Sequence, residues 1–229
     1  ACGPSLLRNP SDSADARAAL GIARALGSQV TEGPEGIALE GGGLEAAMGT
    51  HAPRRVSCGE SGLCMRMFSP ILALLPGASV LEAEGTLRSR PMSSLEETLA
   101  ALGGSFATAG GLPPATVHGP LRGGRATVDA GTSSQFLTGL LIALPLAPMR
   151  SELGVSNIVS EGYVRLTLDT MEAFGLGAAR GVHLDGFALL LVDQRAGERR
   201  GNRNAAGLGV GLRLAHDLPD LFLFSVLVD

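Results

Sequence analysis

The stretch from Val128 to Pro148 reads V-D-A-G-T-S-S-Q-F-L-T-G-L-L-I-A-L-P-L-A-P and sets a polar cluster directly before a long apolar run. The cluster consists of Thr132, Ser133, Ser134 and Gln135. After it, large apolar residues recur at helical spacing, which predicts that the two serines lie at a helix N-terminus. The first N–H groups of a helix lack partners and its dipole is positive there. Such a position can hold an anion such as phosphate.

Two interpretations of the serines remain open from the pattern. In the simpler one they only cap their own helix, which is a common role of serine at a helix start. Gln135 favours the other interpretation, because a helix start gains little from a third polar side chain just ahead of a buried face. The stretch is therefore a candidate phosphate site.

The composition predicts a large aliphatic core and argues against a nucleic-acid partner. Hydrophobic residues make up 45% of the 229 residues, but aromatic residues only 3%, with one Tyr and no Trp. Few rings are therefore available to stack on bases, and the net charge of −4 disfavours a polyanion. All 18 basic residues are Arg. Any basic side chain that contacts an anion must therefore be a guanidinium.

The cysteines and histidines indicate neither a disulfide framework nor a metal site. Cys2, Cys58 and Cys64 are too few and too unevenly placed, and the four His are scattered. We expect a reduced, metal-free, cytoplasmic protein without a cofactor. The longest apolar run is shorter than a membrane span and is broken by Pro145, so no membrane partner is expected. Because the sequence starts with Ala-Cys-Gly, we interpret it as a fragment.

A helix followed by two strands is predicted three times along the chain. In the first copy, residues 9–40 give a helix and then two strands around the turn G-P-E-G. The glycines that end the three helices are Gly27, Gly103 and Gly175, which are 76 and 72 residues apart. The polar segment 59–62 also precedes an apolar helix, as the segment 131–134 does 72 residues later.

Repeats of this size that combine helices and strands indicate one supersecondary unit used several times. We therefore predict an α/β (α+β) fold in which such units pack about a pseudo-symmetric centre. Chance similarity among Ala- and Gly-rich segments is the alternative. The pattern stops at Val192. The predicted organisation is a first globular domain at 1–192, a Gly- and Arg-rich linker at 193–212, and an apolar segment at 213–229.

Four polar segments precede or interrupt apolar ones, and they are residues 60–62, 88–90, 133–135 and 160–163. Equivalent helix starts in a repeated architecture lie along one edge, so these segments can converge on one ligand. Arg90 precedes Pro91, which favours an extended backbone from which its planar guanidinium can bind a carboxylate or phosphate.

Two reactive-looking residues lie inside a predicted apolar helix. We interpret Arg66 as packing or pairing within the structure, because its neighbours on both sides are apolar. We interpret Cys64 as a core residue rather than a nucleophile for the same reason.

Four motifs occur together in one order and spacing: G-E-S-G-L-C-M-R-M-F at 59–68, T-L-R-S-R-P-M at 86–92, G-T-S-S-Q-F-L-T-G-L-L at 131–141 and I-V-S-E-G-Y-V-R-L-T-L-D-T-M-E-A-F-G at 158–175. As a set they resemble the 5-enolpyruvylshikimate-3-phosphate synthase family, also called 3-phosphoshikimate 1-carboxyvinyltransferase. The resemblance covers residues 8–192. The reactive cysteine loop of the related UDP-N-acetylglucosamine enolpyruvyl transferase is not found here.

The resemblance implies an enolpyruvyl transferase-like fold, an inside-out α/β barrel. Its two globules each contain three βαβαββ units with pseudo-threefold symmetry, and substrates bind between them. The chain would represent mainly the first globule, with a truncated second one. The family reaction moves the enolpyruvyl group of phosphoenolpyruvate onto the 5-hydroxyl of shikimate 3-phosphate and releases phosphate, on the route to chorismate and the aromatic amino acids. With small-molecule substrates as its partners, the chain is expected to be a monomer without a cofactor or metal.

The resemblance also assigns residues to the two substrates. On the shikimate 3-phosphate side it places Ser133, Ser134, Gln135, Ser160, Tyr163 and Asp220, the last within H-D-L-P-D-L-F near the end of the chain. On the phosphoenolpyruvate side it places Gly62, Arg90 and Gln135. Gln135 and Asp220 are the residues that it places at the reacting groups.

This sequence departs from the family pattern in three places. The family's G-S-K-S segment is absent and no Lys replaces it, Gly162 stands where Pro usually precedes Tyr163, and most of the second globule has no counterpart. Cleft closure excludes water and completes the site in such an enzyme. We therefore expect weak ligand binding and impaired turnover from this chain alone. The alternative is a non-catalytic module that binds a phosphometabolite or a protein partner.

Overall fold

The computed structural model describes residues 5–41, 54–131, 133–173, 180–184 and 187–192. The predictions for Cys2, Gly175, the linker at 193–212 and the segment at 213–229 with Asp220 lie outside the described residues.

The described elements form three consecutive groups. The first group contains β1 (Ser5–Leu7), α1 (Ala14–Ala25), β2 (Gln29–Gly33) and β3 (Gly36–Glu40). The second contains β4 (Arg54–Ser57), α2 (Gly62–Leu72), β5 (Gly77–Glu82), α3 (Glu96–Ala101), β6 (Ser105–Ala109) and β7 (Leu112–Gly119). The third contains β8 (Arg125–Asp129), α4 (Ser134–Ala143), β9 (Ser151–Ser156), α5 (Glu161–Ala173), β10 (Arg180–Leu184) and β11 (Phe187–Val192).

The second and third groups are two copies of the same βαβαββ unit. Their sheets have the strand orders β4-β5-β7-β6 and β8-β9-β11-β10. In each, the first two strands are parallel and the last two are antiparallel to their neighbours. The first group has the order β1-β3-β2, which matches the later half of this unit. The predicted repeat is therefore confirmed, and α4 begins 72 residues after α2.

The helix ends follow from local sequence. Ser13 caps α1, because its hydroxyl accepts a hydrogen bond from the Ala16 amide at 3.1 Å. At the other end Gly27 has a φ of +96°, which lets the Ser28 amide donate back to the Ala23 carbonyl at 3.0 Å. Gly103 ends α3 in the same way, with a φ of +89°. The helix-stop prediction for these two glycines is confirmed.

The centre of the described fold is the contact between α2 and α4. Nine of the eleven residues of α2 and nine of the ten of α4 are buried. Helices that are apolar all round belong in a core. The two backbones meet at Gly139, where a Cβ atom would lie 2.4 Å from the Met67 carbonyl oxygen. None of the described helices is long and apolar enough to cross a bilayer.

The two described cysteines belong to this core. Cys58 and Cys64 are free thiols and fully buried. Burial raises the pKa of both, to about 12 for Cys64. The thiolate is the nucleophilic form, so neither group is reactive at neutral pH. The interpretation of Cys64 as a core residue is confirmed.

Candidate functional site

Four helices of the fold begin at the same edge. α2 and α4 each follow the first strand of a parallel pair, so both start beyond the carboxyl ends of their sheets. The Cys64 thiol near the start of α2 donates to the Asp15 carbonyl near the start of α1, at 3.4 Å. Between α4 and α5, the buried hydroxyls of Thr138 and Thr167 are 3.1 Å apart. Three of the polar segments predicted from sequence, those before α2, α4 and α5, therefore lie at neighbouring helix starts, whereas residues 88–90 lie at the end of the 3-10 turn Gly85–Ser89.

The two serines before α4 have different environments. Ser133 is the cap residue, and its hydroxyl accepts a hydrogen bond from the backbone amide of Gln135 at 3.2 Å. The capping interpretation therefore holds for Ser133. Ser134 is the first residue of the helix and only 7% exposed, and its hydroxyl has no hydrogen-bond partner among the described residues. Its O–H group is therefore an unused donor within the described part of the chain.

A similar arrangement precedes α5. The Ser160 carbonyl accepts a hydrogen bond from the Tyr163 amide at 3.1 Å, while the half-buried Ser160 hydroxyl bonds to nothing in the described part of the chain. Asn157 ties this segment to the end of β8, because its amide donates to the Asp129 carboxylate at 3.2 Å. Tyr163, on the first turn of α5, is 69% exposed.

Gly62 and Arg90 lie next to each other at the start of α2. Arg90 is exposed and its backbone is extended, with φ −88° and ψ 130°, as its position before proline predicts. A Cβ atom on Gly62 would lie 3.2 Å from Arg90 Nη1 and 2.7 Å from Arg66 Nη1. The absence of a side chain at Gly62 therefore leaves room for two neighbouring guanidinium groups.

Arg66 links this pair to α4. Its Nη1 donates to Gln135 Oε1 at 3.3 Å, and its guanidinium carbon lies 5.7 Å from the centre of the Phe136 ring. Burial, followed by the nearby positive charge of Arg90, lowers the pKa of Arg66. The prediction that Arg66 packs or pairs within the structure is confirmed, because it packs on Phe136 and hydrogen-bonds to Gln135. Its place within the candidate site was missed, although it follows Gly62 by four residues and so shares its helix face.

The loop that carries Arg90 is fixed by Glu60 and Thr86. Glu60 Oε2 accepts hydrogen bonds from the Thr86 backbone amide at 2.8 Å and from its hydroxyl at 3.0 Å. These two bonds, with a smaller contribution from the charge of Arg90, hold the pKa of Glu60 below its ordinary value. The Thr86 hydroxyl is in turn 3.5 Å from Arg90 Nη2. Sequence reasoning missed Thr86, because no local pattern marks it.

Replacing Thr86 by valine is expected to raise the pKa of Glu60, because one of two donors to the carboxylate is lost. The pKa of Glu60 is lower in the folded protein than in the unfolded chain. The ionised carboxylate therefore contributes to folding stability at pH values above its unfolded pKa, and this contribution is lost as the pH falls through its folded pKa. A carbon-detected NMR titration of the Glu60 carboxyl measures this. Thr108→Val is the matched control, since it removes a similar bond to Glu96. An unchanged pKa in Thr86→Val would contradict the assignment.

Neither Arg66 nor Arg90 forms an ion pair with a carboxylate among the described residues, although the charge of Arg90 acts on the Glu60 carboxyl and helps to lower its pKa. Like charges held close together repel, and an anion placed between them relieves that repulsion. Within the same residues, no group of three or more His, Cys, Asp or Glu side chains is arranged to hold a metal ion.

The structure brings together most of the residues singled out from sequence. Gly62, Arg90 and Gln135 meet around Arg66, while Ser134 and Ser160 occupy the starts of the two packed helices α4 and α5. As candidates, these positions form one edge with cationic groups on one side and hydroxyls on the other.

The repeated βαβαββ units, with their helix starts gathered along one edge, define a protein of the inside-out α/β class. Residues 1–180 match the family model described as EPSP synthase (3-phosphoshikimate 1-carboxyvinyltransferase). The chain belongs to the EPSP synthase family. Its fold is similar to two solved structures of EPSP synthase from Acinetobacter baumannii, with TM-scores of 0.61 and 0.60 at 23% and 22% identity. Each match covers 85% of this chain and 44% of that one.

Curated relatives carry the same family name. The 3-phosphoshikimate 1-carboxyvinyltransferase of Methanocorpusculum labreanum is 33% identical over 175 residues, and that of Methanosphaerula palustris is 35% identical over 185 residues. The matches cover 76% and 78% of this chain but 41% and 43% of the relatives. The chain therefore spans less than half the length of these relatives.

Proposed function

We propose that this chain provides the first half of a 3-phosphoshikimate 1-carboxyvinyltransferase site. In the proposed reaction, the 5-hydroxyl oxygen of shikimate 3-phosphate loses its proton and bonds to C2 of phosphoenolpyruvate while C3 gains a proton, which gives a tetrahedral intermediate. The C–O bond to phosphate then breaks and C3 loses a proton. The double bond re-forms, phosphate leaves, and the enolpyruvyl group stays on the shikimate oxygen. The observation that carries the proposal is the meeting of Arg90, Gly62 and Gln135 around Arg66, beside two helix starts whose serine hydroxyls bond to no described residue.

On the shikimate 3-phosphate side, the proposal rests on the starts of α4 and α5. Ser134 and Ser160 offer hydroxyl donors that no described residue uses, and the first backbone amides of a helix lack intrahelical partners and are available to an anion. A phosphomonoester needs several donors and a positive potential, and neighbouring helix starts supply both. We place Ser133 beside them as the cap that fixes the loop, and Tyr163 on the first turn of α5.

On the phosphoenolpyruvate side, the proposal rests on charge. Arg90 is exposed, planar and held in an extended segment, and Arg66 adds a second positive charge nearby. Phosphoenolpyruvate carries a carboxylate and a phosphate, which guanidinium groups bind through paired hydrogen bonds. Gln135 lies between the two sides, so we assign it contacts to both substrates. Donors placed there also stabilise charge that develops in the intermediate. Asp220, near the end of the chain, is proposed to contact the reacting shikimate hydroxyl.

Calorimetric titration of the full chain with each substrate tests the proposal. We expect weak binding of shikimate 3-phosphate, and binding of phosphoenolpyruvate once the first substrate is present. A phosphate-release assay with both substrates then separates an enzyme from a binder. Little or no release is expected, because cleft closure involves more than this half. Absence of binding by either substrate would overturn the proposed function.

We also propose that the protein acts as a monomer in the cytoplasm. The buried free thiols of Cys58 and Cys64 are compatible with a reducing compartment. Sedimentation velocity of the purified chain tests the oligomeric state, and a stable dimer would overturn that part.

A further inference from the structure

We infer that Arg66 is a positioning residue, which locks the side-chain amide of Gln135 and the loop after Arg90 into one arrangement. Arg66 lies on α2, in the second unit, while Gln135 lies at the start of α4, in the third unit. Its two terminal nitrogens reach different elements. Nη1 donates to Gln135 Oε1 at 3.3 Å, and Nη2 donates to the Pro91 carbonyl at 3.4 Å.

The guanidinium group of Arg66 fixes the orientation of the side-chain amide of Gln135. A guanidinium group has five N–H donors and no acceptor, so only the amide oxygen can face it. The NH2 group of Gln135 is then left to donate. Without Arg66 the side-chain amide is free to rotate by half a turn. Its oxygen, which is an acceptor, would then take the place of the NH2 group on the side where the anionic substrate is proposed to bind. The contact with Pro91 acts on the other side, because it holds the carbonyl of the Pro91–Met92 peptide, one residue after Arg90.

A purely structural role does not explain this residue. Arg66 is half-buried and pairs with no carboxylate in the described part of the chain, and its Nε is buried without an acceptor there. Placing an uncompensated cation beside Arg90 costs free energy of folding. The Phe136 ring offsets part of that cost through a cation–π contact at 5.7 Å. What the arrangement provides is a fixed geometry for Gln135 and Arg90.

The first test needs no ligand and does not depend on the proposed function. The chain contains three glutamines, Gln29, Gln135 and Gln194, so the side-chain NH2 signals are few and Gln135→Asn identifies one of them. In the folded protein we expect the Gln135 signals to be dispersed and rigid. In Arg66→Met the chemical shifts of the Gln135 NH2 group should move to the values of a free, mobile glutamine side chain. Arg88→Met is the control, because it removes one positive charge from the loop of Arg90 and leaves Gln135 untouched.

Arg66→Lys gives a second variant in case Arg66→Met does not fold. Lysine keeps the charge and the aliphatic stem but lacks the fork that reaches two carbonyl oxygens at once. We expect increased mobility of the Gln135 amide in this variant as well. Unchanged, rigid Gln135 signals in Arg66→Met, or in Arg66→Lys when only that variant folds, would overturn the inference.

The second test rests on the proposed function and uses a double-mutant cycle. Arg66→Met and Gln135→Ala are each expected to weaken phosphoenolpyruvate binding about tenfold, and the double variant about tenfold rather than about a hundredfold. Additive losses would mean that Arg66 binds the ligand independently, which overturns the positioning role. Absence of binding by the unmodified chain contradicts only the proposed function, and the NMR test then decides the inference.

Discussion

Gly139→Ala is expected to destabilise the protein by about 3 kcal/mol, although alanine is the better helix former. The reason is the close contact of α2 and α4. The new Cβ atom would lie 2.4 Å from the Met67 carbonyl oxygen and 3.0 Å from its Cα atom. Both are backbone atoms of a buried helix, so the clash can be relieved only by moving the helices apart. Urea unfolding followed by circular dichroism measures the change in the free energy of unfolding.

The chain contains a matched control for this substitution. Gly21 also lies inside a helix, α1, but a Cβ atom there would meet nothing within 4 Å. Gly21→Ala is therefore expected to stabilise the protein by about 1 kcal/mol, through helix propensity and loss of freedom in the unfolded chain. Opposite signs for one chemical change would isolate the interhelical contact. Equal effects at the two positions would show that α2 and α4 do not pack this closely.

Arg90→Ala and Ser134→Ala are expected to weaken different ligands. Truncating Arg90 removes a charged partner, which costs about 2–5 kcal/mol for the ligand it binds, so phosphoenolpyruvate affinity should fall by a factor of about thirty or more. Removing the Ser134 hydroxyl costs about 1.5–3 kcal/mol when its partner is charged. Shikimate 3-phosphate affinity should then fall by a factor of about ten or more. Calorimetry with each ligand separately measures both effects.

Each of these variants controls for the other. Arg90→Ala should bind shikimate 3-phosphate almost as the unmodified chain does, and Ser134→Ala should do the same for phosphoenolpyruvate. Arg88→Ala is a further control, because Arg88 is exposed on the same loop and its Nε donates to the Ala83 carbonyl. Equal and negligible effects of Arg90→Ala and Ser134→Ala on both ligands would remove the residue assignments. General loss of both affinities would instead indicate damage to the fold.

Much of the fold was predictable from short-range pattern. Helix caps, helix-ending glycines and the 72-residue spacing are local features, and the structure has them where the sequence predicts: α4 begins at Ser134, and the helix-stop glycines at 27 and 103 have positive φ. Strand pairing was not predictable, because it joins segments that are distant in sequence. Only the structure shows that β4 pairs with β5 in parallel while β7 is antiparallel to both β5 and β6.

The candidate site was likewise predictable from the sequence only in part. The segments around Gly62, Arg90, Ser134 and Ser160 were recognisable because each precedes or interrupts an apolar element. The parts that connect them were not. Thr86 fixes the Arg90 loop through the carboxylate of Glu60, a contact that spans 26 residues of sequence and follows no periodic pattern.

By itself, therefore, the sequence determined the repeat, the positions of the helix starts and the polar residues at them, because caps, glycine stops and apolar periodicity act over a few neighbouring residues. Only the tertiary structure decided that α2 and α4 touch backbone to backbone at Gly139, and that Arg66 reaches Gln135 across that contact. The physical reason is that such contacts depend on the packing of units 72 residues apart, in which the missing side chain of a glycine and the reach of a guanidinium matter more than any local preference.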